Sequence, residues 1–191
     1  MSDVTRCRWS LGHPLMMRYH DTEWGVPVHD DRKLFEFLIL DGAQAGLSWR
    51  TILLRRENYR RALNEFNPEK IARYSAKDVR RLLHDVGIIR NRLKVRSAII
   101  NAQKFLHVRD EFGTFDRYIW QFVGGTPRIN RFRSMKEIPA TSRESDAMSK
   151  DLKQRGFTFV GSTICYAFMQ AAGMVNDHVV TCFRYHEVLL Q

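Results

Sequence analysis

The stretch Gly156-Phe157-Thr158-Phe159-Val160-Gly161 separates a polar helical segment ending near Arg155 from an apolar one beginning at Ser162. Two glycines around four residues predict a short hairpin, because glycine reaches backbone conformations that a Cβ disfavours. A hairpin feeding a helix N-terminus presents backbone N–H groups and the positive end of a helix dipole, which can hold a phosphate without reading base sequence. The alternative is plain punctuation, with Gly156 as a helix C-cap.

Outward from the hairpin the chain reads as almost wholly helical, since apolar residues recur at three and four and hardly anywhere alternate at two. Val95, Ala98, Ile99, Ala102, Phe105 and Leu106 form a stripe on one face of a long helix and predict a core. Helix starts are marked at Asp30 or Asp31 before Leu34, at Ser48 before Trp49, at Asn67 with Pro68, at Ser75 before Val79, and at Thr141 with Glu144 as a capping box. These signals predict about eight or nine helices. Gly124-Gly125-Thr126-Pro127 opens an irregular, basic stretch to about Ala140 that is too short for a domain linker. A chain of 191 residues is of single-domain size.

The formal net charge is +10, and it is unevenly spread. From Arg50 to Arg96 there are 14 Lys and Arg against 5 Asp and Glu. Such a segment suits a polyanion, although charge alone does not separate DNA from RNA or from an acidic protein. No run of about 18 apolar residues occurs, and Met1 to Trp9 lacks the apolar core of a signal peptide, so a cytoplasmic protein with no membrane partner is expected. Three cysteines make no disulfide framework there, and Cys165, in an apolar helical stretch, reads as a buried thiol.

The other two cysteines stand at the extremes of the chain with two histidines. Cys7, His20, His178 and Cys182 form a set suited to one closed, structural zinc that ties both ends together. The spacing of His178 and Cys182 predicts that one helical turn aims both side chains the same way. Among seven His and three Cys such a set also arises by chance. Four protein ligands leave no position for an activated water, which disfavours a zinc hydrolase.

The stretch from Gly156 to Gly161, then Thr163-Ile164-Cys165-Tyr166-Ala167-Phe168-Met169-Gln170-Ala171 and Val175-Asn176-Asp177-His178-Val179, resembles the 3-methyladenine DNA glycosylase I family. Cys7-Arg8-Trp9, Tyr19-His20-Asp21-Thr22-Glu23-Trp24-Gly25-Val26-Pro27 and Gln44-Ala45-Gly46-Leu47-Ser48-Trp49 look like its N-terminal motifs, in order and at its spacing. The resemblance runs from about Cys7 to Cys182, and Cys7, His20, His178 and Cys182 fall on the family's metal positions.

It implies an all-α helix-hairpin-helix DNA glycosylase fold, with a terminal subdomain of about 1–45 plus 164–191 carrying one structural zinc. A DNA-binding subdomain of about 46–163 would end in the hairpin 156–161. The partner implied is double-stranded DNA with alkylated bases, met by a monomer with no protein partner. The activity implied is excision of 3-methyladenine by base flipping and N-glycosidic hydrolysis, leaving an abasic site. Tyr19 and Trp49 match the family's stacking residues, with Trp9 nearby. Asp41 takes the place of the base-edge reader, which is Glu in the family's best-known members. A side chain about 1.5 Å shorter puts that contact in question, and a non-catalytic damage binder with a degenerate pocket is the alternative. Asn176 stands where the wider superfamily usually has a catalytic Asp, and its role is either catalytic or that of a helix cap before His178. Thr163 replaces the lysine of bifunctional members, which implies a monofunctional enzyme. Gly156, Phe159, Gly161 and Ser162 would meet the DNA backbone, and Leu47 is the candidate wedge or, alternatively, a helix staple.

Overall fold

Ala98 and Ala102 lie on the buried face of a 21-residue helix, α7 (Arg92–Phe112), with Val95 and Phe105 buried beside them. Asn91 starts it, its side-chain oxygen accepting from the amides of Leu93 at 3.0 Å and Lys94 at 3.1 Å. The computed structural model describes residues 4–188. Before α7 come α1 (Pro14–Thr22), α2 (Asp31–Gln44), α3 (Trp49–Leu53), α4 (Arg56–Ala62), α5 (Pro68–Ile71) and α6 (Ala76–His84). After it come α8 (Phe115–Trp120), α9 (Arg143–Gln154), α10 (Ser162–Ala171) and α11 (Arg184–Glu187). The described residues thus hold eleven α-helices, more than expected; the caps at Ser48 and Asn67 mark the short α3 and α5, whereas α11 is a single turn too short for periodicity to reveal. No helix among the described residues is long and apolar enough to cross a membrane.

The predicted caps at Asp30, Ser48, Asn67 and Ser75 each accept a hydrogen bond from the first turn of their helix. The capping box at the start of α9 is shifted by one residue. Ser142 and Ser145 exchange the two reciprocal bonds, at 2.8 and 3.2 Å, and Glu144 instead reaches Arg128 at 2.6 Å. A serine hydroxyl can close the same two bonds at the same spacing, so two overlapping boxes were present in the sequence.

Helix α2 is the hub. It packs on α7, α8 and α10, and Leu34, Phe35, Phe37, Leu38 and Leu40 on it are buried. Phe35 meets Phe105 at 4.9 Å between ring centres, and Phe105 stacks on Phe115 at 4.3 Å, so aromatic area joins α2, α7 and α8. Arg56, from the basic segment, is turned inward: its guanidinium donates to Glu36 at 2.7 Å and to both oxygens of Glu23 at 2.9 and 2.8 Å.

The glycine-bracketed stretch is a turn without strand pairing. Gly156, at φ +88°, ends α9, with its amide on the Lys153 carbonyl and that of Phe157 on Leu152. Asn101 of α7 clamps Thr158 from both sides, accepting from its amide at 2.8 Å and donating to its carbonyl at 2.9 Å. Phe159 takes a left-handed conformation at φ +55°, and its Cβ lies 3.5 Å from where a Cβ on Gly42 would stand. The turn is thereby pressed against α2 one residue from Asp41.

The irregular stretch after Gly124 contains a two-residue strand, β1 (Arg128–Ile129), parallel to β2 (Val175–Asn176), with Arg128 opposite Val175 and Ile129 opposite Asn176. Two residues show no alternation, so the sequence pattern does not expose them. His178 and Cys182 are not on a helix: the chain from Asp177 to Phe183 is bend and turn, tied by the amide of Cys182 on the Val179 carbonyl. Asn176 therefore caps no helix; its side-chain oxygen accepts from the His178 amide at 3.2 Å and its Nδ2 donates to the Tyr185 carbonyl at 3.0 Å.

Candidate active site and metal centre

Helix α1 carries Tyr19 on its buried side, the start of α3 carries Trp49 one residue after the Ser48 cap, and α2 carries Asp41 near its end. With Trp9 and Trp24 they line a cavity of about 520 Å³. The Tyr19 and Trp49 rings are 5.2 Å apart at 46°, and Trp9 meets Trp24 edge to face at 5.0 Å. The cavity that these aromatic rings line suits a flat, polarisable ligand.

Asp41 is 3% exposed, and its Oδ2 has no hydrogen-bond partner. Burial pushes its carboxyl well above the usual carboxylate range, and no cation among the described residues pulls it back. Burial also raises the Tyr19 hydroxyl, and the neighbouring Asp41 charge adds to that. Trp49 Nε1 is likewise buried and unpartnered. A carboxylate without a cation and an indole N–H without an acceptor are groups a ligand could satisfy.

Asp41 also lines a second cavity of about 350 Å³ with Gln44, Leu47 and Thr163. Leu47 is 38% exposed at its rim. Gly161 is the N-cap of α10, and the Ser162 hydroxyl is engaged inside the protein by Asp146 at 2.5 Å and Ser145 at 2.8 Å. The structure thus brings Trp9, Tyr19, Asp41 and Trp49 to one cavity and Leu47 beside it. Asn176 is buried away from that lining, with both ends of its side chain holding backbone. Gln44, Met135 and Gln170 line the main cavity as well. Gln44 and Gln170 fall inside the stretches that carry the resemblance, but no local pattern gives them this place and Met135 lies outside them; what brings the three in is the packing of distant segments.

Cys7, His20, His178 and Cys182 are buried side by side, their ligand atoms all within 4.8 Å of one another. Cys7 Sγ is 3.7 Å from His178 Nδ1, and Cys182 Sγ is 3.4 Å from His20 Nε2 and 3.6 Å from His178 Nδ1. A tetrahedron with zinc bonds of about 2.0–2.3 Å has edges of about 3.3–3.8 Å; the three contacts at 3.4–3.7 Å match such edges, within a set that spans up to 4.8 Å and is close enough to hold a metal. The remaining ring nitrogens are also engaged: His20 Nδ1 meets Asp21 at 2.8 Å and His178 Nε2 meets the Trp24 carbonyl at 3.0 Å. Such partners orient a ligating imidazole and leave its other nitrogen for a metal. Hydrogen bonding to Cys182 and burial push the Cys7 thiol up, a penalty that a divalent cation between the two sulfurs would offset.

A family model described as methyladenine glycosylase matches residues 9–185. The chain belongs to the methyladenine glycosylase family. It is therefore a glycosylase by descent, and its relatives agree along nearly their whole length. It is 50% identical over 182 residues to DNA-3-methyladenine glycosylase 1 of Escherichia coli, covering 95% of this chain and 97% of that protein. A crystal structure of 3-methyladenine DNA glycosylase I superposes on this glycosylase with a TM-score of 0.92 at 50% identity, over 94% of this chain and 98% of the other. A tyrosine-to-phenylalanine variant of a 3-methyladenine DNA glycosylase I, solved in complex with 3-methyladenine, gives 0.90 at 34% identity, over 93% and 96% of the two chains.

Proposed function

We propose that this glycosylase excises 3-methyladenine from alkylated double-stranded DNA, flipping the nucleotide into the Trp9–Tyr19–Asp41–Trp49 cavity and hydrolysing the N-glycosidic bond to leave an abasic site. The observation that carries the reading is Asp41, a buried carboxylate with no cationic partner in a cavity walled by aromatic rings. N3-alkylation makes adenine a cation, and a cation is what such a carboxylate lacks. The aromatic rings line the space that receives the base, and Asp41 meets its edge.

The chemistry then asks little of the protein. A base that departs as a neutral molecule needs no general acid, and Thr163, in place of a lysine, offers no amine for a Schiff base. The protein's task is to extrude the nucleotide, hold the base and admit water to an oxocarbenium-like sugar. Leu47 would fill the gap in the stack, and the turn Gly156, Phe159, Gly161 and Ser162 would meet the phosphate backbone as the hairpin of a helix-hairpin-helix unit. Since the Ser162 hydroxyl is already engaged, this contact falls to backbone N–H groups.

Zinc on Cys7, His20, His178 and Cys182 would be structural, one per chain. It supplies no chemistry to the base; it holds the chain beside Trp9 and Tyr19 against the segment after α10. Asn176, catalytic in one reading of the sequence, is assigned here to positioning that segment. The division proposed is a terminal subdomain of about 1–45 plus 164–191 and a DNA-binding one of about 46–163; residues 1–3 and 189–191 of the first lie outside the described residues. A monomer suffices for this task.

The test is incubation of the purified protein with methylated duplex DNA and chromatography of the released base. Release of 3-methyladenine supports the reading. Lesion binding without release at high enzyme concentration supports the second reading, a non-catalytic damage binder, which the missing methylene of Asp41 favours.

A further inference from the structure

Gln170 stands in the last turn of α10, lines the main cavity and is held at both ends. Its backbone carbonyl accepts from the Gly25 amide at 3.0 Å, and its side-chain Nε2 donates to Asp177 Oδ2 at 2.7 Å. Asp177 is fully buried and receives two further donors, Asn130 Nδ2 on Oδ1 at 2.6 Å and the Tyr166 hydroxyl on Oδ2 at 2.7 Å. Three donors converging on one carboxyl group leave it no role but acceptor, and that decides which way the Gln170 amide faces. Its NH2 is bound to Asp177, and its carbonyl oxygen is the end left over. No donor reaches that Oε1 among the described residues.

Gln170 thus offers the base an acceptor, beside the carboxyl of Asp41 and the Trp49 indole N–H; Tyr19, Gln44, Ser48 and Arg50 add further polar groups to the lining. An exocyclic amino group brings two N–H donors. An oxo group in the same place brings lone pairs that would face acceptor oxygens, and a buried acceptor facing another is penalised.

We propose that Gln170 is a specificity-determining residue of the cavity: its Oε1, fixed by Asp177, accepts from the exocyclic amino group of the flipped base and so selects amino-bearing over oxo-bearing alkylpurines. The inference rests on the excision reading and adds to it the residue that makes the choice. Asp41 attracts the positive charge, which alkylated bases of either kind can carry. Gln170 tests the substituent.

The experiment uses the full, zinc-loaded chain and two free bases, 3-methyladenine and its 6-oxo counterpart 3-methylhypoxanthine, titrated by tryptophan fluorescence, with release from methylated DNA measured in parallel. Gln170→Leu keeps the volume of the side chain and removes the acceptor, while Asn130 and Tyr166 still satisfy Asp177. Tyr166→Phe is the control, since it takes a donor from the same Asp177 oxygen without lining the cavity. The wild type is expected to prefer the amino base by about tenfold or more. Gln170→Leu is expected to lose about tenfold for 3-methyladenine and less than about twofold for the oxo base, collapsing the preference, and Tyr166→Phe to keep it. An unchanged preference in Gln170→Leu overturns the proposal, as does an equal collapse in Tyr166→Phe, which would make the effect one of packing around Asp177. A wild type that binds neither base and releases none from DNA overturns the excision reading itself and this inference with it.

Discussion

Asp41 Oδ2 and Trp49 Nε1 line the same cavity, and each is buried without a hydrogen-bond partner. An unmet buried polar atom costs about 1–3 kcal/mol, so a fold that keeps an acceptor and a donor unmet in one cavity is less stable than it could be. A ligand able to meet both recovers that penalty as binding energy. The strain is therefore placed where the function needs it, at the aromatic opening between α1, α2 and α3.

Asp41→Asn separates stability from activity. Burial raises the Asp41 pKa, so the folded chain holds that proton more tightly than the unfolded chain does. Its favourable contribution is full below the ordinary value of 3.8 and is lost as pH rises from there through the folded value. Asparagine carries no charge to bury. The variant is expected to be more stable than wild type by at least about 1 kcal/mol at pH 7, with the gap widening from pH 4 upward, and to release little or no 3-methyladenine. Urea unfolding at several pH values checks it; a gap that does not change with pH would show that Asp41 is solvated.

The Cys7–His20–His178–Cys182 cluster, read as a structural zinc site, predicts one zinc per chain by elemental analysis. Cys182→Ala removes one of four donors and is expected to lose the metal, lower the melting temperature and expose the two ends to protease. Release of base should fall only as far as the folded fraction falls. A zinc-free variant of full thermal stability would remove the structural role.

Gly173 decides how the chain leaves α10. It sits at φ +69°, and a Cβ there would stand 2.3 Å from the carbonyl carbon of Val26 and 2.4 Å from Pro27 N, both backbone atoms that cannot rotate aside. Gly173→Ala combines backbone strain with a clash, and a loss of at least about 3 kcal/mol is expected in chemical denaturation. A loss under about 1 kcal/mol would mean that the Val26 segment yields.

These cases show what was legible in the sequence. Caps were legible because they are local: Ser48, Asn67 with Pro68, and Ser75 act within three residues, and even the misplaced box at Thr141 was wrong by one position only, because Ser142 and Ser145 repeat its spacing. The spacing of His178 and Cys182 gave the right partners and the wrong backbone, since turns as well as helices can aim residues four apart at one point. Phe159 against Gly42, the β1–β2 pair and the Gln170–Asp177–Tyr166 cluster join segments whose meeting no local pattern encodes. Arg56 shows the limit of counting charge: it belongs to the most basic segment of the chain, yet it is buried against Glu23 and Glu36. Asp41 reached attention through resemblance; its burial and its missing partner are properties of the fold.

Leu47 tests the step before chemistry. It is 38% exposed on the loop between α2 and α3, at the rim of the smaller cavity that shares Asp41 with the main one. A side chain that fills the gap left by an extruded nucleotide acts only where a stack exists, so its removal should matter in duplex DNA and hardly at all elsewhere. Leu47→Ala is expected to slow release of 3-methyladenine from methylated duplex DNA by about tenfold, to leave release from a methylated single strand within about twofold, and to leave binding of the free base unchanged. A residue that merely staples the start of α3 would instead lower thermal stability and depress all three measurements together. Equal loss on duplex and single strand would assign Leu47 to that structural task and leave the wedge to be sought on another loop at the cavity rim.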